Sequence, residues 1–284
     1  MTTLPPAPGA SPSSPGELHL ARGVAESFGG EAERYNRTRP TYPQAMVDAI
    51  LAASPGRDFL DVGTGTGISA RPFQMAGCRV LGIDPDDRMA AFAREGGIEV
   101  EVAKFEEWDP AGRTFDALIA GQTWHWVDPL LGAAKAATVL RPGGRIALFW
   151  NAMSLSPEVA EAFSGVYRRV VPEFPFFRNG APGGVTSYAP LFGRAADGLR
   201  QARPGAFDEP SQWHFGWERP YTKDDWLEQV PTFGGHSQLL PDKLGELLDG
   251  IGDVIVSVGG SFTMGYTAVV VTASRSMSPV TDLT

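Results

Sequence analysis

The chain has 284 residues, 43% of them apolar, so it can bury the core of one large domain or of one domain with an inserted subdomain. Its formal net charge of −9 disfavours nucleic acid as a partner, because most of the affinity for nucleic acid comes from cationic contacts to phosphates. Its single cysteine, Cys78, excludes an internal disulfide and a cysteine-rich zinc site.

The sequence also lacks the signals of membrane insertion and export. No run reaches the roughly 18 to 20 continuous apolar residues that span a bilayer. The first residues have neither the basic nor the apolar region of a secretory signal. We therefore expect a cytoplasmic protein without a membrane partner, and both a monomer and a homodimer are compatible with the sequence.

Composition divides the chain into segments. Residues 1–16 are dominated by Pro, Ser, Gly and Ala, which predicts a disordered tail, and a similar composition predicts a flexible tail at 276–284. Residues 17–150 carry the regular alternation of elements that we expect in a ligand-binding core. Residues 151–205 break that rhythm and are expected to form a helical lid or insertion that contacts the substrate, and 206–275 hold the C-terminal part of the sheet with its helices.

Strand-like and helical patterns alternate through the first half of the chain. The strand-like runs lie at 58–62, 79–84, 98–102, 115–120 and 145–150, and the helical patterns at 45–53, 68–75, 85–95 and 130–140. Such an alternation predicts a Rossmann-like, doubly wound α/β fold with a mostly parallel sheet. Two later runs, near 213–217 and 261–273, bring the sheet to seven strands. The last run has no following helix and is expected late in the sheet, with an antiparallel direction left open.

A glycine-rich turn follows the first strand, with Gly63, Gly65 and Gly67 at alternate positions. Glycines let the backbone turn sharply and approach a ligand, and the start of the next helix offers free N–H groups. In the dinucleotide-binding pattern the third glycine comes one position later, where this chain has Ile68. Taken alone, the turn is explained equally well as a tight strand-to-helix connection with no ligand.

Asp84 makes a ligand more plausible, because it ends the second strand about 20 residues after Gly63. A carboxylate at that place can accept hydrogen bonds from both ribose hydroxyls of a nucleoside. Each charge-assisted hydrogen bond is worth about 1.5–3 kcal/mol. The alternative is that Asp84 only caps the helix that begins near Pro85, and the two roles can coexist. The turn and Asp84 together favour a nucleoside site.

These motifs carry a family resemblance. The run 61–67, followed by 82–85 and Met89, resembles the motifs of class I S-adenosylmethionine-dependent methyltransferases. The wider sequence is similar to their small-molecule branch, which includes the methyltransferase type 11 group and trans-aconitate methyltransferase-like proteins. Segments 28–42, 115–128 and 140–145 add to the similarity, which is close over about residues 25–150 and loose beyond them.

The resemblance implies that the cofactor is S-adenosylmethionine and assigns a site to it. Asp61 would order the turn or meet the cofactor's amino group through water, and Asp84 would hold the ribose. Tyr35 or Arg39 could meet the cofactor's carboxylate, although Arg39 could equally be a solvated cation beside Glu33. The full set that the resemblance implies is Tyr35, Arg39, Asp61, Gly63, Thr64, Gly65, Gly67, Asp84, Pro85, Met89, Phe105, Glu106, Ala120 and Gln122.

His125 is the candidate catalytic residue. Transfer of a methyl group from a sulfonium requires in-line geometry, and a base is needed only when the acceptor must lose a proton early. His125 follows the fourth strand, and imidazole titrates near neutrality. The alternative, which we favour for a lone histidine, is that residues 124–126 form a packed structural corner. No cluster of acidic residues indicates a metal site, and none is expected.

The leading hypothesis is methyl transfer from S-adenosylmethionine to a small-molecule acceptor such as a metabolite, a natural product or a carboxylic acid. Aromatic residues in 151–240 would suit an apolar acceptor, whereas Arg168, Arg169, Arg178 and Arg194 could clamp a carboxylate. An NAD(P)-dependent oxidoreductase on a Rossmann fold is an alternative that the position of the third glycine weakens. A non-catalytic S-adenosylmethionine-binding protein is a further alternative that no sequence feature excludes.

Overall fold

The computed structural model describes residues 31–174, 183–202 and 205–277. The described residues form seven strands, namely β1 (Asp58–Val62), β2 (Arg79–Asp84), β3 (Glu99–Val102), β4 (Phe115–Gly121), β5 (Leu140–Ser154), β6 (Ser211–Thr222) and β7 (Ser261–Ser274). Their α-helices are α1 (Ala32–Thr38), α2 (Gln44–Ala53), α3 (Ala70–Met75), α4 (Asp87–Glu95), α5 (Pro129–Val139), α6 (Pro157–Val170), α7 (Val185–Gln201), α8 (Lys223–Gln229) and α9 (Pro241–Ser257). The tail predicted at 1–16, and most of the one at 276–284, lie outside the described residues.

All seven strands belong to one sheet in the order β3-β2-β1-β4-β5-β7-β6. Strands β1 to β5 pair in parallel, whereas β7 pairs antiparallel with both β5 and β6. The Rossmann-like prediction is therefore confirmed, and the last strand is antiparallel. The strand order reverses between β1 and β4, which is where open α/β sheets bind ligands at the carboxyl ends of their strands.

Helices cover both faces of the sheet because successive strand residues point to opposite sides. On β1, Leu60 and Val62 enter one buried apolar cluster, while Phe59 enters the cluster on the other face. The first cluster is covered by α5 and α7, and the second by α2, α3 and α4. No helix in the described part of the chain is both long and apolar enough to cross a membrane.

The segment expected to be a lid differs from expectation in two ways. Strand β5 runs four residues past the expected limit at 150, because its far end pairs with β7. Helix α7, which the sequence pattern does not predict, packs on α5 and on the sheet through Phe192 and Leu199. Pro190 inside the helix and the small residues along it hide the helical pattern. At least this part of 151–205 covers the sheet directly.

A third apolar cluster fills the C-terminal half, where α6, α8 and α9 pack against the ends of β6 and β7. Its largest members are aromatic, and the rings of Phe163, Tyr221, Trp226 and Phe262 contact one another. Aromatic pairs in these geometries add roughly 0.5–1.5 kcal/mol beyond burial. This C-terminal cluster supports α1, which contacts α8.

Candidate functional site

A cavity lies at the carboxyl edge of the parallel strands, where the strand order reverses. Its wall combines the turn after β1, the end of β2, the loops after β3 and β4, and one residue of β5, with α1 on the opposite side. The lining residues are Tyr35, Arg39, Pro40, Tyr42, Val62, Gly63, Thr64, Gly65, Thr66, Ile68, Ser69, Ile83, Asp84, Pro85, Asp86, Met89, Ala103, Lys104, Phe105, Glu106, Gly121, Gln122, Thr123, Trp126, Val127 and Asn151.

The glycine turn has the backbone conformation that requires glycine. Gly63, Gly65 and Gly67 have φ of +66°, +54° and +88°, a region in which a β-carbon is strained. A β-carbon on Gly63 would also overlap the side chain of Thr123, whereas one on Gly65 would meet nothing within 4 Å. Gly63 therefore allows the turn to pack against the loop after β4, and Gly65 leaves open space on the cavity side.

Asp61 lies behind this turn and outside the cavity wall. Its side chain is fully buried, and Oδ2 accepts hydrogen bonds from Thr64 Oγ1 at 2.8 Å and from Ser69 Oγ at 2.7 Å. Its Oδ1 is buried with no hydrogen-bond partner among the described residues. Burial raises the pKa of Asp61 to about 7 against the lowering effect of these two hydroxyls. The carboxyl group therefore orders the turn and keeps one oxygen available.

Asp84 is held in the cavity wall by backbone amides. Its Oδ2 accepts from the N–H of Gly65 at 2.7 Å and its Oδ1 from the N–H of Asp86 at 2.9 Å. Burial raises the pKa of Asp84 to about 6. A carboxylate has about four acceptor positions, so about two remain for a ligand.

The capping role considered for Asp84 belongs to another residue. Helix α4 begins at Asp87, and the side chain of Asp86 accepts from the N–H groups of Arg88 and Met89 as the helix cap. The interpretation of Asp84 as the cap is therefore wrong. Because Asp86 serves α4, the Asp84 carboxylate faces the cavity with its remaining acceptor positions.

The structure brings the expected neighbours of Asp84 together at one end of the cavity. Pro85, Met89, Phe105 and Glu106 all line the wall there. The Oε1 atom of Glu106 accepts from the N–H of Asp128 at 3.0 Å, which fixes the loop after β3 against the start of α5. This end combines apolar surface with carboxylates, as a purine nucleoside requires.

Tyr35 on α1 and Arg39, the residue that caps its C-terminal end, line the cavity. The guanidinium of Arg39 lies between the rings of Tyr35 and Phe233, with its Cζ 4.8 Å from each ring centroid, and donates a hydrogen bond to the carbonyl of Thr232. Its Nε–H is buried with no hydrogen-bond partner among the described residues. The cation beside Glu33 is Arg37, at 3.6 Å, so the alternative that placed Arg39 there is wrong.

Two other predicted residues, Gly67 and Ala120, lie away from the cavity wall. Gly67 closes the turn, and a β-carbon on it would contact Arg71 and Ile98 at 3.2 Å. Ala120 is fully buried in the core on β4, one residue before the cavity-lining Gly121. Gln122, by contrast, lines the cavity with a φ of +55°.

His125, the candidate catalytic residue, does not line the cavity either. Its Nδ1 accepts a hydrogen bond from the indole N–H of Trp150 at 3.2 Å, and its ring lies 4.7 Å from that of Trp126. Burial, followed by the charge of Arg194, lowers the pKa of His125 to about 4. The imidazole is neutral at pH 7 and packs as a structural corner.

Most of the described residues in 151–240 that were expected to contact a methyl acceptor do not line the cavity. Among the described residues of that segment, Asn151 is the one that lines the cavity. Arg168 pairs with Glu161 on the surface, and Arg178 lies outside the described residues. The described aromatic residues of the segment pack in the apolar clusters. In the described ranges no group of three or more histidine, cysteine or acidic residues could hold a metal ion.

Sequence reasoning missed Tyr42, Thr123, Trp126 and Asn151, all of which line the cavity. Tyr42 packs edge-on against Phe149 with ring centroids 4.7 Å apart. Asn151 follows the expected end of the fifth strand, and only the pairing of β5 with β7 places it in the sheet. Its polar side chain at the end of an apolar run was the signal that could have identified it.

The glycine turn, the carboxylate at the end of β2 and the strand order together define a class I methyltransferase fold. Residues 60–148 match the family described as "Methyltransferase domain". Over residues 60–148 the chain is therefore similar to methyltransferase domains, and its fold is the one that class I methyltransferases have.

Individual relatives show the same similarity. An uncharacterized methyltransferase of Mycobacterium tuberculosis is 38% identical over 133 residues, which are 46% of this chain and 54% of that protein. The chain thus spans about half the length of the curated relatives that it matches first. A ubiquinone biosynthesis O-methyltransferase of Bradyrhizobium is 35% identical over 96 residues, or 31% of this chain and 38% of that one. In fold, the chain is similar to a solved structure described as a putative type II methyltransferase of Anaeromyxobacter dehalogenans, with a TM-score of 0.59. The two chains are 21% identical, and the match covers 85% of this chain and 99% of that one.

Proposed function

We propose that this protein transfers the methyl group of S-adenosylmethionine to a small-molecule acceptor. The observation that carries the proposal is the joint position of Asp84 and the glycine turn in one cavity wall. The Asp84 carboxylate bonds the amide of Gly65 at 2.7 Å and keeps acceptor positions for two hydroxyls. A nucleoside with a chain extending from its ribose fits this arrangement, and the domain family supplies the chemical identity of that nucleoside.

The residues of the wall, with Asp61 behind it, would meet the parts of the cofactor in order. Asp84 would hold the ribose, with Met89 and Phe105 beside the adenine. The open space over Gly65 would take the methionine part, and the unpaired Oδ1 of Asp61 lies behind it for the amino group, directly or through water. Arg39, with an unpaired Nε–H, would meet the cofactor's carboxylate together with Tyr35.

When bound, S-adenosylmethionine supplies a methyl group that is already activated by a sulfonium leaving group. The chain's task is then to hold donor and acceptor in line and to exclude water. Helix α1 covers one side of the cavity and is tied to α8, since Arg34 Nε donates to the carbonyl of Glu228 at 3.0 Å and Arg37 pairs with the Glu228 side chain. This cover favours a small acceptor over a polymer.

Ligand-induced shifts in melting temperature test the cofactor. A ligand at 100 times its dissociation constant stabilises a protein by about 2.7 kcal/mol, which is a shift of several degrees. S-Adenosylhomocysteine should give such a shift and NADH none. The reverse result would support the oxidoreductase alternative and overturn the proposal.

Transfer itself needs a separate measurement. The protein is incubated with methyl-labelled S-adenosylmethionine and the small-molecule fraction of a cell extract, and labelled products are separated by chromatography. At least one labelled product is expected. Cofactor binding without any labelled product would favour the non-catalytic alternative.

A cytoplasmic location and a monomeric or homodimeric state remain part of the proposal. Cell fractionation tests the location, and light scattering tests the oligomeric state.

A further inference from the structure

Asn151 occupies the end of the cavity that is farthest from Asp84 in the sheet. Strands β2, β1, β4 and β5 are consecutive neighbours, and Asn151 lies on β5. At about 4.8 Å between strands, Asn151 lies about 14 Å across the sheet from the end of β2. In the proposed cofactor position the sulfonium would lie between these points. The β5 side of the cavity is therefore where a methyl acceptor would approach.

The side-chain amide of Asn151 is fixed in one orientation. The residue is 1% exposed, its Oδ1 accepts from the indole N–H of Trp217 at 3.2 Å, and its Nδ2 donates to the carbonyl of Thr41 at 2.9 Å. Exchanging the oxygen and nitrogen would place two donors face to face at Trp217 and two acceptors face to face at Thr41. The hydrogen-bond network therefore permits one assignment.

This orientation leaves a second amide hydrogen beyond the one that Thr41 takes, and Asn151 lines the cavity. The amide nitrogen carries two hydrogens, and Thr41 takes one of them. The carbonyl oxygen is directed toward Trp217 on β6, which does not line the cavity. The nitrogen is directed toward the loop before α2, where Pro40 and Tyr42 do line it. The second N–H of Asn151 is thus the polar group that this residue offers to a ligand.

We infer that Asn151 orients the methyl acceptor by donating this N–H to an oxygen of the acceptor, such as a carbonyl, carboxylate or phenolic oxygen. The inference rests on the proposed methyl transfer. The cavity wall also contains Tyr42, Trp126 and Gln122. A fixed donor selects acceptors with oxygen beside the methylated atom, because a buried N–H left without a partner costs binding energy.

Trp217 is the positioning residue for this amide. Its indole stacks on the ring of Tyr266, with centroids 4.6 Å apart and planes 17° apart, and the Tyr266 hydroxyl lies 2.7 Å from that of Tyr221. The indole N–H is therefore held by the C-terminal apolar cluster and holds Asn151 in turn. Strands β6 and β7 would in this way set the geometry of the acceptor through Asn151.

The test uses the whole chain and compares Asn151→Asp, Asn151→Ala and Trp217→Phe with wild type. The acceptor is the one that gives the strongest labelled product from the extract, and kcat and KM are measured for it with methyl-labelled S-adenosylmethionine. Asp at 151 keeps the oxygen that faces Trp217 and removes both N–H donors. Phe at 217 keeps a ring on Tyr266 and removes the indole N–H. Trp213→Phe is the matched control, since Trp213 lies on the same face of β6 and does not bond Asn151.

Both Asn151 variants should lower kcat/KM for the acceptor by about tenfold or more, with the larger part in the acceptor's KM. Trp217→Phe should have a smaller effect in the same direction, and Trp213→Phe none. The affinity for S-adenosylhomocysteine should stay within about twofold in every variant. That binding measurement and the melting temperature also identify a variant that fails to fold, and Trp217→Phe then carries the comparison.

Unchanged kinetics in the Asn151 variants would overturn the inference and leave the proposed function standing. A parallel loss of S-adenosylhomocysteine affinity in well-folded variants would also overturn it, by assigning Asn151 to the cofactor. If wild type binds S-adenosylhomocysteine and labels no product, the proposed function fails and the inference with it.

Discussion

The two halves of the sheet use polar side chains in opposite ways. At the carboxyl ends of β1 to β4, Asp84 faces the cavity and Asp61 lies just behind it, each with acceptor capacity to spare. In the C-terminal half, two pairs of buried polar groups face one another: the hydroxyl of Tyr167 lies 2.7 Å from Nε2 of His236, and that of Tyr221 lies 2.7 Å from that of Tyr266. The two aspartates of the first half keep acceptor positions at or behind the cavity wall, whereas these tyrosine pairs lie within the C-terminal apolar cluster.

The two halves therefore differ in how they contribute to the cavity. The first half contains the groups proposed to bind the cofactor, and they come from short stretches that follow consecutive strands. The second half reaches the cavity indirectly, through Trp217 on Asn151 and through the carbonyl of Thr232 on Arg39. Substitutions in the first half should therefore change cofactor binding, and those in the second half should change stability or acceptor geometry.

The largest expected effect is that of Asp84→Ala. Loss of two charge-assisted hydrogen bonds to the ribose, each worth about 1.5–3 kcal/mol, should weaken S-adenosylhomocysteine binding at least about a hundredfold. Titration calorimetry measures the change directly. Asp87→Ala, at an exposed position in the first turn of α4, is the control and should bind as wild type does. Equal affinities for Asp84→Ala and wild type would remove the ribose role and with it the main support for the proposed function.

Gly63→Ala should damage both the fold and the cavity. The substitution adds strain at a φ of +66° and overlap with Thr123, which together should cost about 2–4 kcal/mol of unfolding free energy. Urea denaturation measures this cost. Gly216→Ala on β6 is the control, because a β-carbon there meets nothing within 4 Å, and its stability should be close to wild type. Two variants of equal stability would mean that the turn adapts without glycine at 63.

His125→Leu separates a structural role from a catalytic one. Leucine removes the acceptor of the Trp150 indole, and a buried donor left unpaired costs about 1–3 kcal/mol. His125→Gln can still present an acceptor oxygen and should lose less. Both variants should keep the methyl-transfer rate and its pH profile. A rate that falls in both variants while the unfolding free energy stays at the wild-type value would instead restore His125 as the catalytic residue.

Much of the fold was predictable because the first half has a regular pattern. Apolar runs predict the parallel strands, and the run 61–67 with Asp84 identifies the cavity. The extension of β5 was not predictable, since its last residues depend on pairing with β7, more than 100 residues later. Helix α7 was hidden by Pro190.

The site was predictable where its residues follow a strand directly and not where they depend on tertiary contacts. Asp84 and Gly63 lie within such local motifs. Asn151 joins the cavity through contacts with Trp217 and Thr41, which no spacing in the sequence reveals. His125 illustrates the opposite error, because its position after β4 suggested catalysis while its ring packs against Trp150 and Trp126.

The smallest and most specific expected effect concerns pH and Asp61. Burial raises the pKa of Asp61 to about 7 in the folded protein, above its unfolded value of 3.8. Between these values the folded state binds more protons than the unfolded state, so this group's contribution to stability declines as pH rises from about 4 to about 7. Binding of the cofactor's ammonium group favours the ionised carboxylate. Affinity for S-adenosylhomocysteine should therefore increase from pH 6 to 8, by less than about tenfold per pH unit for one proton released.

Asp61→Asn tests this directly, because asparagine can still accept from Thr64 and Ser69 but cannot ionise. Calorimetric titrations at pH 6, 7 and 8 should give a flatter affinity profile in the variant than in wild type. Asp84, with a pKa of about 6, titrates in both proteins and accounts for the dependence that remains below pH 7. Parallel profiles across the whole range would mean that Asp61 only orders the turn and that the cofactor's amino group is held elsewhere. The glycine turn and Asp84 would then bind only the nucleoside. Binding of the methionine part of the cofactor would depend on Arg39, which contacts Thr232 and Phe233.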